Sequence, residues 1–182
     1  THGFVVDEKG IKMSKRLGNV VDPIATCSTY GADILRYWAG SVVYEGDIAC
    51  SDNILKQCGE GYRTIRNTSR FLLANLFDYE PGQPIELQEI DRWIIEQTDL
   101  LVDDCVRAYE EFAFHRAMNA VLQFCKQELS AFYLDVIKDR MYCDGKEWES
   151  RRSGQEACLQ VLNRLVRVIA PVLVHTAEEI YA

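Results

Sequence analysis

From residue 52 onward the apolar positions recur at helical spacing. Leu55, Cys58, Tyr62, Ile65, Ser69, Leu72 and Leu76 follow at steps of three and four. That places them on one face of a helix of about seven turns. Asp52 is its expected N-cap, and Pro81-Gly82-Gln83-Pro84 ends it. A second helix is predicted through Ile90, Trp93 or Ile94, Gln97, Leu101, Cys105, Ala108 and Phe112. A third runs from Phe114 to Tyr142, with Met118, Val121, Cys125, Phe132 and Val136 inward, and Cys143-Asp144-Gly145 closes it. A fourth spans Ser150 to Ala170 on Cys158, Val161, Leu165 and Val168, stopped by Pro171. Thr176 with Glu179 has the capping-box spacing of a last short helix.

The first fifty residues read differently. Phe4-Val5-Val6 is β-prone and Asp7-Glu8-Lys9-Gly10 is turn chemistry. Asp22-Pro23 interrupts any helix, because the residue before proline avoids the α region. Gly31 to Ala39 reads as a short helix and Gly46 to Cys50 as a second strand. The expected fold is mainly α: an antiparallel α-helical bundle over 52–182, preceded by a short mixed α/β segment over 1–51. The opening lacks Met and starts in a strand already in progress, as a piece of a longer chain would.

Composition refines this. A chain of 182 residues is long enough to bury a core. Its apolar runs are too short to cross a membrane, and its opening lacks a signal peptide. Twenty basic against 28 acidic residues give a net charge of −8, which excludes nucleic-acid binding by bulk charge. A local stripe remains possible. Lys56, Arg63, Arg66 and Arg70 fall within an arc of roughly 80° on the first long helix, with Glu60 expected to point elsewhere. Such a stripe can track a phosphate backbone or form a solvated face. Arg92, Lys126, Lys138, Arg140, Arg164 and Arg167 are further cations, each more readily a surface charge or ion-pair member. Trp93 reads as core; Trp148 is the better base-stacking candidate. The seven cysteines form no CxxC and read as reduced thiols of a cytosolic protein. No zinc spacing occurs and no metal site is expected. His115 and His175 stand at helix starts, where they serve local hydrogen bonds.

The second constellation is Gly10-Ile11-Lys12-Met13-Ser14-Lys15-Arg16-Leu17-Gly18-Asn19. It is a basic loop bounded by glycines, able to wrap a polyphosphate and stabilise charge developing in phosphoryl or nucleotidyl transfer. It is not a P-loop. Lys12-Met13-Ser14-Lys15-Arg16 resembles the KMSKS signature of class I aminoacyl-tRNA synthetases. Asp7-Glu8-Lys9-Gly10, Leu17-Gly18-Asn19-Val20-Val21-Asp22-Pro23 and Tyr30-Gly31-Ala32-Asp33-Ile34-Leu35-Arg36 resemble the flanks found in the isoleucine, valine and leucine enzymes. Tyr62-Arg63-Thr64-Ile65-Arg66-Asn67-Thr68, Asp91-Arg92-Trp93 and Leu129 through Tyr142 resemble the isoleucyl branch of bacterial type. Arg16 stands where that signature ends in Ser.

The resemblance implies a fragment of an isoleucine–tRNA ligase: the end of a catalytic domain and an anticodon-binding bundle. Lys12, Met13, Ser14 and Lys15 would then contact ATP, supplied with Mg. Lys15 and Lys12 would be catalytic through their charge. Lys56, Arg63, Arg66 and Arg70 would contact tRNA(Ile). The implied setting is a cytoplasmic monomer with no membrane partner, and the fragment alone would not be catalytic. The alternatives are a valyl- or leucyl-tRNA synthetase fragment, or a non-catalytic tRNA-binding module.

Overall fold

The computed structural model describes residues 2–181. Two short strands, β1 (Val5–Val6) and β2 (Ile48–Ala49), pair in parallel, with Val5 opposite Ile48. Between them lie α1 (Pro23–Tyr30) and α2 (Ala32–Ser41). Asp22 caps α1 by accepting from the Ile24 and Ala25 N–H groups, and Pro23 at the first helical position loses no bond. The long helices follow: α3 (Asp52–Ala74), α4 (Glu89–Glu110), α5 (Phe114–Phe124), α6 (Leu134–Cys143) and α7 (Glu149–Ile169), with α8 (Val174–Tyr181) last. A nine-residue π-helical segment, Cys125–Tyr133, joins α5 to α6 in one continuous rod. The bundle with a short α/β approach is as expected.

Three sequence expectations change. Ser51, not Asp52, caps α3: its Oγ accepts from Ile54 N at 3.2 Å, while Asp52 is the first helical residue. The two neighbours are both good caps, and spacing alone does not choose between them. Thr176 and Glu179 form no capping box. Asp33 of α2 caps α8 instead, accepting from His175 N, Thr176 N and the Thr176 hydroxyl at 3.3, 2.7 and 2.6 Å. Phe132 and Val136 are not inward; they are 45% and 52% exposed.

The π segment explains that last difference. Cys125, Leu129, Tyr133, Ile137 and Met141 form a buried row at a constant step of four. On an α-helix such a step drifts about 40° each time. The wider π turns absorb the drift and keep the row facing the core. Phe132 is thereby turned outward, where it meets Trp93 edge-on at 5.2 Å between ring centroids.

The main core gathers Ile65 and Leu72 of α3, Ile94 and Cys105 of α4, Met118 and Val121 of α5, and Val161, Leu165 and Ile169 of α7, with Tyr37 contributed by α2. A second cluster of Trp38, Cys50 and Leu55 sits beside it, under the strands. Polar ties cross the apolar core. Asp91, with no exposed surface, accepts from Arg140, from the Tyr133 hydroxyl at 2.7 Å and from Ser153 Oγ at 2.5 Å. Arg140, expected to be a surface charge or an ion-pair member, is the latter. Arg151 and Asp78 form a second buried pair at 2.8 and 3.0 Å, with Gln155 donating to the same carboxylate at 2.7 Å.

Removing one member of a buried pair strands the other's charge, typically at about 3–5 kcal/mol. Asp91→Ala is therefore expected to lower unfolding stability by that order in a urea melt. Asp104→Ala, which breaks an exposed pair with Arg107, is expected to cost under about 1 kcal/mol. Equal effects would remove Asp91 from its central place.

Candidate nucleotide loop and nucleic-acid face

The basic loop is an ordered hairpin. Val6 and Lys12 form an antiparallel bridge, Met13 N donates to Val5 O at 3.3 Å, and Asp7 N to Ile11 O at 2.9 Å. Gly10 closes the turn at φ +76°, which a residue with Cβ adopts only under strain. Beyond this base, Leu17 N donates to Ser14 O at 3.1 Å and Gly18 takes φ +67°. Lys15 and Arg16 ride that second turn, exposed, and neither makes an ion pair among the described residues.

The structure distributes the expected ATP contacts unevenly. Lys15 points to solvent on its turn. Lys12 Nζ rests 3.6 Å from the centroid of the Phe4 ring. Met13 is half-buried against the Trp38–Cys50–Leu55 cluster. Ser14 Oγ accepts from Leu17 N at 3.3 Å, within its own turn. Asp7, Glu8 and Asn19, which the sequence presents only as turn and flank residues, build the base of this loop. Asp7 and Asn19 join across the loop base at 2.9 Å. That amide, with the Ile11 N–H, holds the Asp7 carboxyl below its ordinary range. Glu8 Oε1 accepts from Ser51 Oγ at 2.5 Å and Asn53 Nδ2 at 3.0 Å, tying the hairpin to the start of α3. The Asp-x-x-Gly turn and the Gly-Asn pair were visible signals of a built loop.

The α3 stripe is present, but most of its charge is answered. Lys56 pairs with Asp52 at 2.6 Å and Arg63 with Glu60. Glu60 thus lies within reach of the stripe, because the i,i+3 spacing brings the two together. Arg66 meets Glu179 of α8 in a two-pronged pair, 2.7 Å on one prong. The carboxylate raises the Arg66 guanidinium pKa, and the guanidinium lowers that of Glu179. Arg70 is exposed and has no ion-pair partner among the described residues. Next to the stripe, a groove of about 490 Å³ runs between α3 and the π–α6 rod. Asn67 and Phe71 line one side, Ser130, Leu134, Lys138 and Tyr142 the other. Amide and hydroxyl groups line it beside aromatic rings, and the Asp135 carboxylate in the same wall answers the Lys138 ammonium.

The remaining candidates separate by environment. Lys138 pairs with Asp135 at 2.6 Å, Arg164 with Asp99 at 2.5 Å, and Arg92 donates to Leu87 O. Trp93 is half-buried; Trp148 is 61% exposed. His115, expected to hydrogen-bond locally, has its Nδ1 buried without a partner. Among the described residues no group of three or more His, Cys, Asp or Glu is placed to hold a metal. Burial pushes the thiol of Cys105 up to about 11 and those of Cys125 and Cys158 to about 12, far from thiolate reactivity. No helix is long and apolar enough to cross a membrane among the described residues.

These features match known families. The family described as tRNA synthetases class I (I, L, M and V) matches residues 1–51, and the anticodon-binding domain of tRNA ligase matches 91–182. The chain belongs to the class I tRNA synthetases and carries their anticodon-binding domain. Its curated relatives include the isoleucine–tRNA ligase of Carboxydothermus hydrogenoformans, 52% identical over 100% of this chain and 20% of that protein. The isoleucine–tRNA ligase of Desulfitobacterium hafniense strain DCB-2 is 50% identical over the same shares. The chain thus spans about a fifth of the length of these relatives. A Mycobacterium tuberculosis methionyl-tRNA synthetase bound by methionyl-adenylate shares the fold at TM-score 0.80 and 22% identity, over 100% of this chain and 37% of that one. The LeuRS of Agrobacterium radiobacter K84, in a ternary complex with tRNA and LeuAMS, does so at 0.75 and 24%, over 100% and 21%.

The Arg66–Glu179 pair has a pH signature. A lowered carboxylate pKa contributes stability above the unfolded value, and that contribution is lost as pH falls through the folded value. Glu179→Gln is thus expected to melt below wild type near neutrality and to converge with it as the medium is acidified past the carboxylate range. A constant gap at all pH would show that the charge contributes nothing.

Proposed function

We propose that this chain is part of an isoleucine–tRNA ligase. Its loop assists the ATP-dependent activation of isoleucine, and its bundle holds the anticodon stem-loop of tRNA(Ile). What carries the reading is that Lys15 and Arg16 stand exposed, with no ion pair among the described residues, on the signature-like loop of a chain half identical, throughout, to isoleucine–tRNA ligases.

The chemistry follows from charge. The isoleucine carboxylate attacks the α-phosphate of Mg-ATP, and the bond to the leaving pyrophosphate breaks. Lys15 and Lys12 then meet negative charge growing on the departing phosphates. A donor aimed at developing charge is typically worth about 3–4 kcal/mol. Lys12 must first leave Phe4. An exposed cation–π contact holds it by only about 0.5–1 kcal/mol, so the gain exceeds the cost. Met13 and Ser14 face the small cluster and the turn, and they reach the adenosine as the loop closes. The isoleucyl group then passes to tRNA(Ile), gripped along α3 and the neighbouring groove. We read the ligase as a cytoplasmic monomer. Most of the catalytic machinery lies in the rest of such a ligase, so this segment is not expected to act alone.

In the full-length ligase carrying this segment, Lys15→Ala is expected to slow isoleucine-dependent ATP–pyrophosphate exchange by about 10²–10³-fold, with little change in the isoleucine KM. Unchanged exchange would sink the loop's role, and exchange driven best by valine or leucine would reassign the substrate. For tRNA, fluorescence anisotropy of a labelled tRNA(Ile) transcript across a salt series is the measurement. Arg70→Glu is expected to weaken binding and flatten the salt slope by about one counterion, more than Lys56→Glu, whose charge is already paired. Equal binding by wild type and Arg70→Glu would leave the stripe a solvated face.

A further inference from the structure

We infer that Asp7 and Asn19 are positioning residues for adenylation: their side chains clasp the loop base and set where Lys12 and Lys15 stand. This rests on the functional reading above. The two side chains form a complete circuit. Asp7 Oδ1 accepts from Lys9 N and Ile11 N, each at 2.9 Å. Asp7 Oδ2 accepts from Asn19 Nδ2 at 2.9 Å, and Asn19 Oδ1 accepts from Ser14 N at 2.9 Å. Every oxygen of both groups is engaged.

The circuit divides the loop. Residues 7–14 form the hairpin base, whose bridge at Val6 and Lys12 fixes the Lys12 stem. Residues 14–19 form a tip drawn back on itself by Asn19, and that tip carries Lys15 and Arg16. Asn19, at the far end of the tip, is bonded through its side chain to Asp7 and to Ser14, the two ends of the base. The spacing of the two lysines therefore depends on it. Misplacing a charge by about 1 Å can cost on the order of 100-fold in rate.

The circuit also has a polarity. A carboxylate only accepts, whereas an amide both donates and accepts. Aspartate at 7 with asparagine at 19 satisfies every bond. Two aspartates leave carboxylates facing each other with no proton between them. Two asparagines leave one N–H facing another, whichever way the amides turn. Asparagine at 7 with aspartate at 19 satisfies every bond again.

That gives a swap experiment in the full-length ligase, read by isoleucine-dependent ATP–pyrophosphate exchange. Asp7→Asn and Asn19→Asp are each expected to lower kcat by about tenfold or more, with the isoleucine KM within about twofold. The double variant is expected to recover to within about threefold of wild type. Singles without effect, or a double no faster than its slower parent, would overturn the inference. So would losses that track a lowered melting temperature, which would make the pair merely structural. A wild-type enzyme that exchanges no pyrophosphate with isoleucine would overturn the functional reading, and the inference with it.

Discussion

A carboxylate with no access to water organises the far end of this molecule. Asp91 receives four donors, from Arg140, Tyr133 and Ser153, which belong to the π–α6 rod and α7. An isolated charge in that position would be far too costly to keep. Its partners must therefore arrive together, and they fix how α4, α6 and α7 slide against one another. Burial keeps the Tyr133 phenol protonated and able to donate. The apolar core alone would tolerate neighbouring registers; the polar circuit tolerates one.

The same device appears at the near end, where it joins the short α/β segment to the bundle. Asp33 of α2 supplies the cap that α8 lacks in its own sequence. Arg36 donates to the carbonyls of Val172 and Pro171 at 2.7 and 3.0 Å. Trp38 Nε1 donates to Ala49 O at 3.0 Å, so the helix under the core also carries the strand beside the loop. Glu8 reaches the first turn of α3, where the helix dipole favours a negative charge. Loop and bundle thus form one mechanical unit. A rigid base is what a loop needs if two lysines are to meet a small, briefly formed charge.

Much of this is legible in the sequence, and the rest is hidden for two reasons: ambiguous spacing and contact between distant positions. The helices from 52 onward follow their hydrophobic period, and the loop is marked by its glycines, its cations and its resemblance to a signature. The π segment is hidden, because apolar steps of three and four fit an α-helix as well as a rephased one, and Phe132 is as apolar as Leu129. The cap of α8 is hidden because Asp33 lies about 140 residues away in the chain. The clasp escaped because Asp7 and Asn19 are ordinary turn residues until the fold closes the loop between them. A sequence thus hides the phase of a helix whose apolar residues fit two periods, and the side-chain contacts that only folding brings together.

Exposure then sorts the cations that a phosphate backbone can engage. Arg140 and Arg151 are spent on buried carboxylates, and withdrawing either would strand a partner's charge. Lys56, Arg63 and Arg66 hold exposed partners in solvent-screened pairs that contribute little to stability. Such exposed pairs are screened by salt and do not lock the cations in place. Arg70, Lys15 and Arg16 have no ion-pair partner among the described residues. A chain of net charge −8 can therefore carry a local row of cations without being cationic overall: exposed acids beside the stripe answer most of its charge.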